Sequence, residues 1–155
     1  HYFNEKFFAS VGAIRNNFSG YLNDRLGEDH NLNDGLRGYE WLPKVQVNPN
    51  LLLRYDAKED LTFSYNFDYY NEKINRFSPN VNFNPNSSTN TNNPTAQDNI
   101  LTGNRFVHTL NVMGKINGSL NYNIVGSYQK QQNDIERFTT FINTGERENI
   151  EKEEI

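Results

Sequence analysis

The sequence of 155 residues contains no cysteine, and only 35% of its residues are hydrophobic. Without cysteine the chain can form neither a disulfide framework nor a thiolate metal site. A mean hydropathy of -0.86 is low for a globular domain of this length, because so few apolar residues provide only a thin core. No stretch approaches the roughly 20 consecutive apolar residues of a membrane-spanning helix, so any membrane span must be built from strands.

Aromatic residues are abundant despite the low hydropathy, with 9 Tyr, 11 Phe and one Trp. A disordered chain carries far fewer, so the composition indicates a folded protein. Many of the aromatics alternate with Asn, Ser or Thr, which is typical of a sheet with one apolar and one polar face. The formal net charge is -4, with the two signs interspersed up to an acidic tail after Thr144, so nucleic acid is not an expected partner.

The clearest predicted hairpin lies in the second half of the chain. Strands at about residues 105–116 and 119–131 alternate apolar and polar side chains on both sides of Asn117-Gly118. That dipeptide is the strongest short signal for a type I′ turn, because both of its residues tolerate a positive φ. The two strands have about the length that crosses a bilayer at a tilt.

A second hairpin is predicted from strands at about residues 45–55 and 61–75 with a turn at 57–60. Pro49 predicts a bulge or a later start in the first of these strands, because proline cannot donate to the ladder. A weaker strand is predicted at about residues 6–14. The alternation places on the apolar face Phe63, Tyr65, Leu110, Val112, Tyr122 and Ile124. It places on the polar face Thr62, Ser64, Asn66, Asn111, Lys115, Asn121 and Asn123.

Long polar connections are predicted at about residues 16–41, 77–104 and 132–137. The stretch at residues 78–104 has nine Asn and a single charge. Short turns that alternate with long loops are typical of outer-membrane barrels, which have short periplasmic turns and long external loops. The sequence therefore predicts an all-β fold, an antiparallel up-and-down meander that forms part of a transmembrane β-barrel.

Aromatic residues near the loop-side ends of the predicted strands favour a membrane protein over a soluble sheet. A soluble sandwich or jelly roll has the same two-residue period and similar turns. A membrane barrel has girdles of aromatic residues at its interfaces, which a soluble sheet does not require. The candidate girdle residues are Tyr39, Trp41, Tyr69, Tyr70, Phe106 and Tyr128.

Several runs resemble the barrel of TonB-dependent outer-membrane receptors from Bacteroidota. They are GYEWLPK at residues 38–44, FDYYNEKIN at residues 67–75, and SYQKQ at residues 127–131 with TGE at residues 144–146. The resemblance implies a barrel of about 22 strands, closed by an N-terminal plug, in the outer membrane of a Gram-negative bacterium. It implies active transport of a scarce nutrient such as a siderophore, a glycan or a peptide.

The partners that this resemblance implies are outer-membrane lipid, the receptor's own plug domain and TonB; the sequence leaves open whether a surface lipoprotein is also a partner. Neither a plug domain nor a TonB box is recognisable over the matching region, about residues 7–146. The chain also begins without an initiator Met, a basic region or an apolar segment. We therefore expect it to be a fragment of the receptor, whose few strands cannot close so wide a barrel.

The external loops supply the candidate ligand-binding residues. Amide groups can hydrogen-bond a sugar, a peptide or a siderophore, and aromatic rings can stack on one. The candidates are Trp41, Phe77, Asn82, Phe83, Asn84 and Asn86. The alternative interpretation is a solvated loop that binds nothing.

No metal site, cofactor or catalytic residue is predicted. Residues 29–35 partly match a calcium loop, but Asp34 occupies the sixth position, where the sharp turn needs glycine. His108 stands alone on the apolar face, where a girdle residue is the simpler interpretation, and His30 belongs to a charged loop. The sequence has no GxSxG, paired-His or phosphate-loop motif, so we do not expect an enzyme.

Two other functions are compatible with the same pattern. A non-transporting outer-membrane barrel or adhesin has the same strands without a plug. A soluble carbohydrate-binding β-sandwich has the same alternation but packs two sheets around a closed core.

Overall fold

A computed structural model of the chain describes residues 2–22, 35–79, 81–82, 94–116 and 120–155. Over these residues the protein is all-β, with 81% of them in strands. They contain no helix, and hence none that is long and apolar enough to cross a membrane. The predicted all-β fold is confirmed for the part of the chain that the structure describes.

Nine strands are present in the described residues. They are β1 (Tyr2–Phe3), β2 (Phe7–Phe18), β3 (Tyr21–Leu22), β4 (Tyr39–Trp41), β5 (Lys44–Lys58), β6 (Leu61–Arg76), β7 (Thr95–Ile116), β8 (Leu120–Phe141) and β9 (Arg147–Glu154). Seven of them form one sheet in the order β1-β2-β5-β6-β7-β8-β9, and β3 and β4 form a separate pair. The large sheet is antiparallel and open, with β1 and β9 at its edges.

The strands follow one another in the sheet nearly as they do along the chain, which confirms the antiparallel meander. β5 and β6 are joined by a two-residue turn at Glu59-Asp60, within the predicted turn at residues 57–60. The Asn117-Gly118 turn lies outside the described residues. Pro49 lies inside β5, which continues through it, so the predicted later start of that strand is wrong.

The predicted loop at residues 77–104 is shorter than the sequence suggested. It ends at Thr95, where β7 begins. Side chains on this early part of β7 alternate between buried and accessible positions, as a strand requires. The polar composition of the region concealed that alternation.

The predicted loop at residues 132–137 is absent, because β8 continues without interruption to Phe141. The acidic tail explains the difference: it forms β9, which pairs antiparallel with the end of β8 from Asp134↔Glu154 to Thr140↔Arg147. Sequence reasoning noted these glutamates only as an acidic tail and so left the end of β8 without a partner strand.

The predicted connection at residues 16–41 is also partly strand. β2 extends to Phe18 instead of ending near residue 14, and β3 and β4 pair through Tyr21↔Trp41 and Leu22↔Tyr39. Gly20 precedes β3 with a φ of +91°, a conformation that L side chains rarely adopt. A glycine is therefore needed where the chain turns from β2 into β3.

The chain divides into two compact units. The first unit comprises residues 1–16, 46–71 and 104–132, and the second comprises 17–45, 72–103 and 133–155. The buried hydrophobic residues among those described, Ala96, Ile100 and Phe138, all belong to the second unit. The first unit has no fully buried hydrophobic residue within the described ranges, although it carries most of the aromatic alternation.

Candidate functional site

One face of the first unit carries a continuous cluster of rings. His108 on β7 lies between strands: its ring centroid is 4.9 Å from that of Phe67 on β6 and 6.1 Å from that of Tyr128 on β8. A 2.8 Å hydrogen bond joins the Tyr65 hydroxyl to His108 Nδ1. The Tyr65 hydroxyl and the surrounding rings therefore contact His108, which we predicted to be a girdle residue.

The same face continues along β6 and β7 through further aromatic contacts. The Tyr69 and Phe106 centroids are 4.7 Å apart, and the Tyr69 hydroxyl donates to Asn104 Oδ1 at 2.7 Å. Rings from neighbouring strands are expected to meet in this way, because side chains of one parity share a sheet face. We name this set the aromatic face: Tyr65, Phe67, Tyr69, Phe106, His108 and Tyr128.

Aliphatic side chains that continue the aromatic face along β7 and β8 are strongly exposed. Leu110 on β7 is 51% exposed and Ile124 on β8 is 64% exposed. Ile116 and Leu120 belong to the same parity and are also exposed. Exposed apolar groups on the other parity are Met113 and Val125. Extended exposed apolar surfaces are typical of places where a protein contacts another molecule or a membrane.

The opposite face of the first unit is bound together by polar groups. Gln46 Nε2 donates to the Tyr70 hydroxyl at 2.8 Å, and the Arg105 guanidinium lies 5.5 Å from the centroid of the Tyr70 ring. Asn111, predicted on the polar face, has a buried Oδ1 without a hydrogen-bond partner. This face is suited to water and to polar ligands, in contrast to the aromatic face.

The second unit is organised around a buried carboxylate, Asp98 on β7. Arg37 donates to Asp98 through Nη1 at 2.6 Å and Nη2 at 2.7 Å, and both side chains are nearly fully buried. The Thr140 hydroxyl donates to Oδ2 at 2.6 Å and the Ser78 backbone N–H to Oδ1 at 3.0 Å. Each carboxylate oxygen therefore accepts two hydrogen bonds.

A phenylalanine ring packs on this ion pair and contacts a second, buried phenylalanine. Phe138, which is 1% exposed, meets Phe77 edge-on with 6.4 Å between centroids. The Arg37 guanidinium lies 5.8 Å from the Phe77 centroid, which adds a cation–π contact. We name these six residues the Asp98 cluster: Arg37, Phe77, Ser78, Asp98, Phe138 and Thr140.

The ionisation of Asp98 follows from these contacts. Burial alone would raise the pKa of its carboxyl group, because it penalises the charged form. The hydrogen bonds from Arg37, Thr140 and Ser78, together with the positive charge of Arg37, outweigh burial and hold the pKa below the ordinary value of 3.8. Asp98 is therefore ionised at neutral pH, as a bidentate ion pair requires.

Sequence reasoning did not find the Asp98 cluster. The available signal was that Asp98 is the single charge in the stretch at residues 78–104, between the apolar Ala96 and Ile100 of the same parity. A lone charge on a strand face whose other side chains are apolar indicates a buried partner of opposite sign. Nothing in the sequence identified Arg37, 61 positions away, as that partner.

A cavity of about 380 Å³ in the second unit is lined by charges of both signs. Lys152 Nζ lies 3.0 Å from Glu136 Oε2, and Arg137 Nη1 lies 2.6 Å from Glu153 Oε2 on the pairing strands. These two ion pairs join β8 to β9. No group of three or more His, Asp or Glu that could hold a metal ion occurs in the described part of the chain.

The predicted ligand-binding residues have different surroundings. Trp41 on β4 is 66% exposed, and its register partner Tyr21 is also exposed. Phe77 packs within the Asp98 cluster, and Asn82 is exposed and pairs through its backbone with Thr95. Phe83, Asn84, Asn86 and the segment at residues 29–34 lie outside the described residues.

Comparison of the chain with protein-family models, with curated protein sequences and with solved structures found no match.

Proposed function

We propose that this chain forms part of the wall of an outer-membrane β-barrel that belongs to a TonB-dependent transporter. In this proposal the first unit contacts the lipid through its aromatic face, and its polar face lines the barrel interior. The second unit lies outside the bilayer. The proposal includes a plugged barrel of about 22 strands, which takes up a scarce nutrient such as a siderophore, glycan or peptide.

The observation that carries the membrane part of the proposal is the exposure of apolar side chains such as Leu110 and Ile124 beside the aromatic face of the first unit. β5, β6, β7 and β8 have 15, 16, 22 and 22 residues, which exceeds the roughly ten residues that a tilted strand needs to cross a bilayer. In water, side chains such as Leu110 and Ile124 would stay exposed and would not contribute the apolar burial that stabilises a soluble sheet. Lipid provides that burial.

The β-sandwich alternative has less support. A sandwich packs two sheets face to face and buries the inner side chains of both. Within the described residues one seven-stranded sheet and one pair of short strands are present, and three hydrophobic residues are buried. That core is too small to stabilise a soluble sheet of this size.

The transport part of the proposal rests on the receptor-like runs at residues 38–44, 67–75 and 127–131. The strands alone do not distinguish a transporter from a non-transporting barrel or adhesin. Uptake by the full-length protein separates them, because a transporter requires the inner-membrane energy supply through TonB and an adhesin does not.

The membrane part is tested by the solvent that the chain needs in order to fold. We expect the purified chain to aggregate in buffer and to recover β-structure, followed by circular dichroism, when it is transferred into detergent micelles. A cooperative, monomeric fold in plain buffer would contradict the proposal and favour the soluble sandwich.

A further inference from the structure

Four separate parts of the chain meet at the Asp98 carboxylate. Arg37 precedes β4, Ser78 follows β6, Asp98 lies on β7, and Thr140 lies near the end of β8. Arg37 also donates to the Ser78 carbonyl oxygen at 3.0 Å, so these two segments are joined directly as well as through Asp98. All of these contacts lie within the second unit.

The geometry of the contacts restricts orientation as well as distance. Arg37 forms two parallel hydrogen bonds to the two carboxylate oxygens, and such a fork fixes the planes of both groups. Ser78 contributes a backbone N–H, so the main chain itself is held, not only a side chain. The segment around Ser78 therefore has one position relative to β7.

The energetics of the buried ion pair distinguish the positioning of segments from net stabilisation of the fold. Desolvation of a buried ion pair offsets much of its attraction, so apolar residues of the same volume stabilise a fold as well or better. Apolar packing is non-directional, whereas each hydrogen bond of the Asp98 cluster specifies a partner atom. What the ion pair adds beyond packing is a defined arrangement of the segments that it joins.

We propose that Asp98 is a positioning residue, which fixes the segments at residues 35–41 and 77–79 against the start of β7 and the end of β8. It thereby sets the arrangement of the candidate ligand-binding residues Trp41 and Phe77. The consequence for ligand recognition rests on the proposed function. The arrangement itself does not, and it can be measured without a ligand.

The test is a distance measurement between spin labels in the full chain. The sequence has no cysteine, so Glu40→Cys and Pro79→Cys, both at exposed positions, give two unique labelling sites. Proline has no backbone N–H, so its replacement removes no hydrogen-bond donor from the segment. Pulsed electron paramagnetic resonance then reports the distribution of distances between the two segments. We expect one narrow distribution in the labelled parent, which widens about twofold in Asp98→Ala because the segments no longer share an anchor.

Asp68→Ala is the matched control, because Asp68 is an exposed aspartate on β6 that belongs to the first unit. We expect it to leave the distribution narrow. A distribution in Asp98→Ala that is as narrow as that of the labelled parent would overturn the proposal. Circular dichroism of each variant verifies that its strand content is retained.

A double variant separates positioning from stability. Arg37→Met with Asp98→Leu replaces the ion pair by apolar groups, and we expect it to recover the thermal midpoint that Asp98→Ala loses. The proposal predicts that its label distances nevertheless stay broad. A narrow distribution in this double variant would show that packing alone positions the segments, and the proposal would then be wrong.

This test remains decisive if the proposed function fails. A chain that folds as a monomer in buffer contradicts the membrane proposal, but the label distances can be measured in that buffer equally well. A chain that folds only in micelles is measured there. Failure of the positioning role therefore appears as an unchanged distance distribution in either solvent.

Discussion

Asp98 and Arg37 are charged side chains that the second unit buries to 3% and 2% exposure. An isolated buried carboxylate is strongly unfavourable, which is why such groups are found with a partner or not at all. Here four hydrogen bonds and an opposite charge keep the carboxylate ionised. The same contacts thus lower the pKa of Asp98 and join several chain segments at its carboxylate.

The lowered pKa of Asp98 predicts an acid dependence of stability. Because the native state holds this pKa below 3.8, the unfolded chain binds the proton more readily. The stabilisation is therefore fully present above the unfolded pKa and is lost as the pH falls through the lower native pKa. We expect the free energy of unfolding to decrease over that acid range, as measured by denaturant titration at several pH values.

Asp98→Asn is the comparison for this acid dependence, because it removes the titrating group but keeps the size of the side chain. The other carboxylates contribute to both proteins equally. The decrease should therefore be smaller in Asp98→Asn. Equal acid sensitivity in the two proteins would contradict this role of Asp98.

Gly20 gives a second prediction at the residue scale. A Cβ at Gly20 would lie 2.5 Å from Tyr39 Cδ1 and 2.9 Å from Pro43 Cγ, in a backbone with φ of +91°. We expect Gly20→Ala to lower the free energy of unfolding by about 1–3 kcal/mol, since strain and collision add. Gly126→Ala is the control, because nothing lies within 4 Å of its added Cβ; it should change stability by less than about 0.5 kcal/mol.

At the scale of elements, the two-residue alternation predicted the sheet well. Alternating residues such as Phe63 and Tyr65 lie in a strand whose bounds, Leu61–Arg76, differ by one residue from the prediction. The turn between β5 and β6 was also found, because short polar turns between alternating runs have few other solutions. The local pattern was sufficient for a strand such as β6, whose neighbours in the sheet, β5 and β7, are also its neighbours along the chain.

The elements that sequence reasoning missed depend on distant partners. The start of β7 contains Asp98, whose burial requires Arg37, and the end of β8 pairs with the acidic β9. Neither partner can be identified from the local sequence, which in both cases is polar and resembles a loop. The Asp98 cluster was missed for the same reason, since its members lie far apart along the chain.

The pairing of β8 with β9 predicts a charge effect. Arg137 is directly opposite Glu151 and bonds Glu153 at 2.6 Å, on a strand with several glutamates. Arg137→Glu should lower the free energy of unfolding by about 0.2–1 kcal/mol, more at low salt, because both side chains are exposed and like charges then face each other.

Lys130→Glu is the matched control for this charge effect. Lys130 lies on β8 outside the register that β9 occupies, so its reversal should have a smaller effect. Chemical denaturation at low and high salt measures both variants. Equal losses in the two would show that net charge, and not pairing with β9, is responsible.

At the scale of the whole molecule, the two units differ in how their apolar groups are covered. The second unit buries Ala96, Ile100 and Phe138 around the Asp98 cluster. The first unit leaves Leu110 and Ile124 exposed beside its aromatic face. Under the proposed function a bilayer covers these groups, and strands of this length are long enough to cross one.

The membrane proposal is tested most directly by finding which side chains touch acyl chains. In a Trp41→Phe background, which removes the single tryptophan, Leu110→Trp and Asn111→Trp place the probe at adjacent positions of β7. Brominated acyl chains quench tryptophan fluorescence on contact, and successive side chains of a strand point to opposite faces. We expect strong quenching in Leu110→Trp and little in Asn111→Trp after reconstitution into brominated lipid vesicles. Equal quenching in the two variants, or none in either, would contradict the proposal.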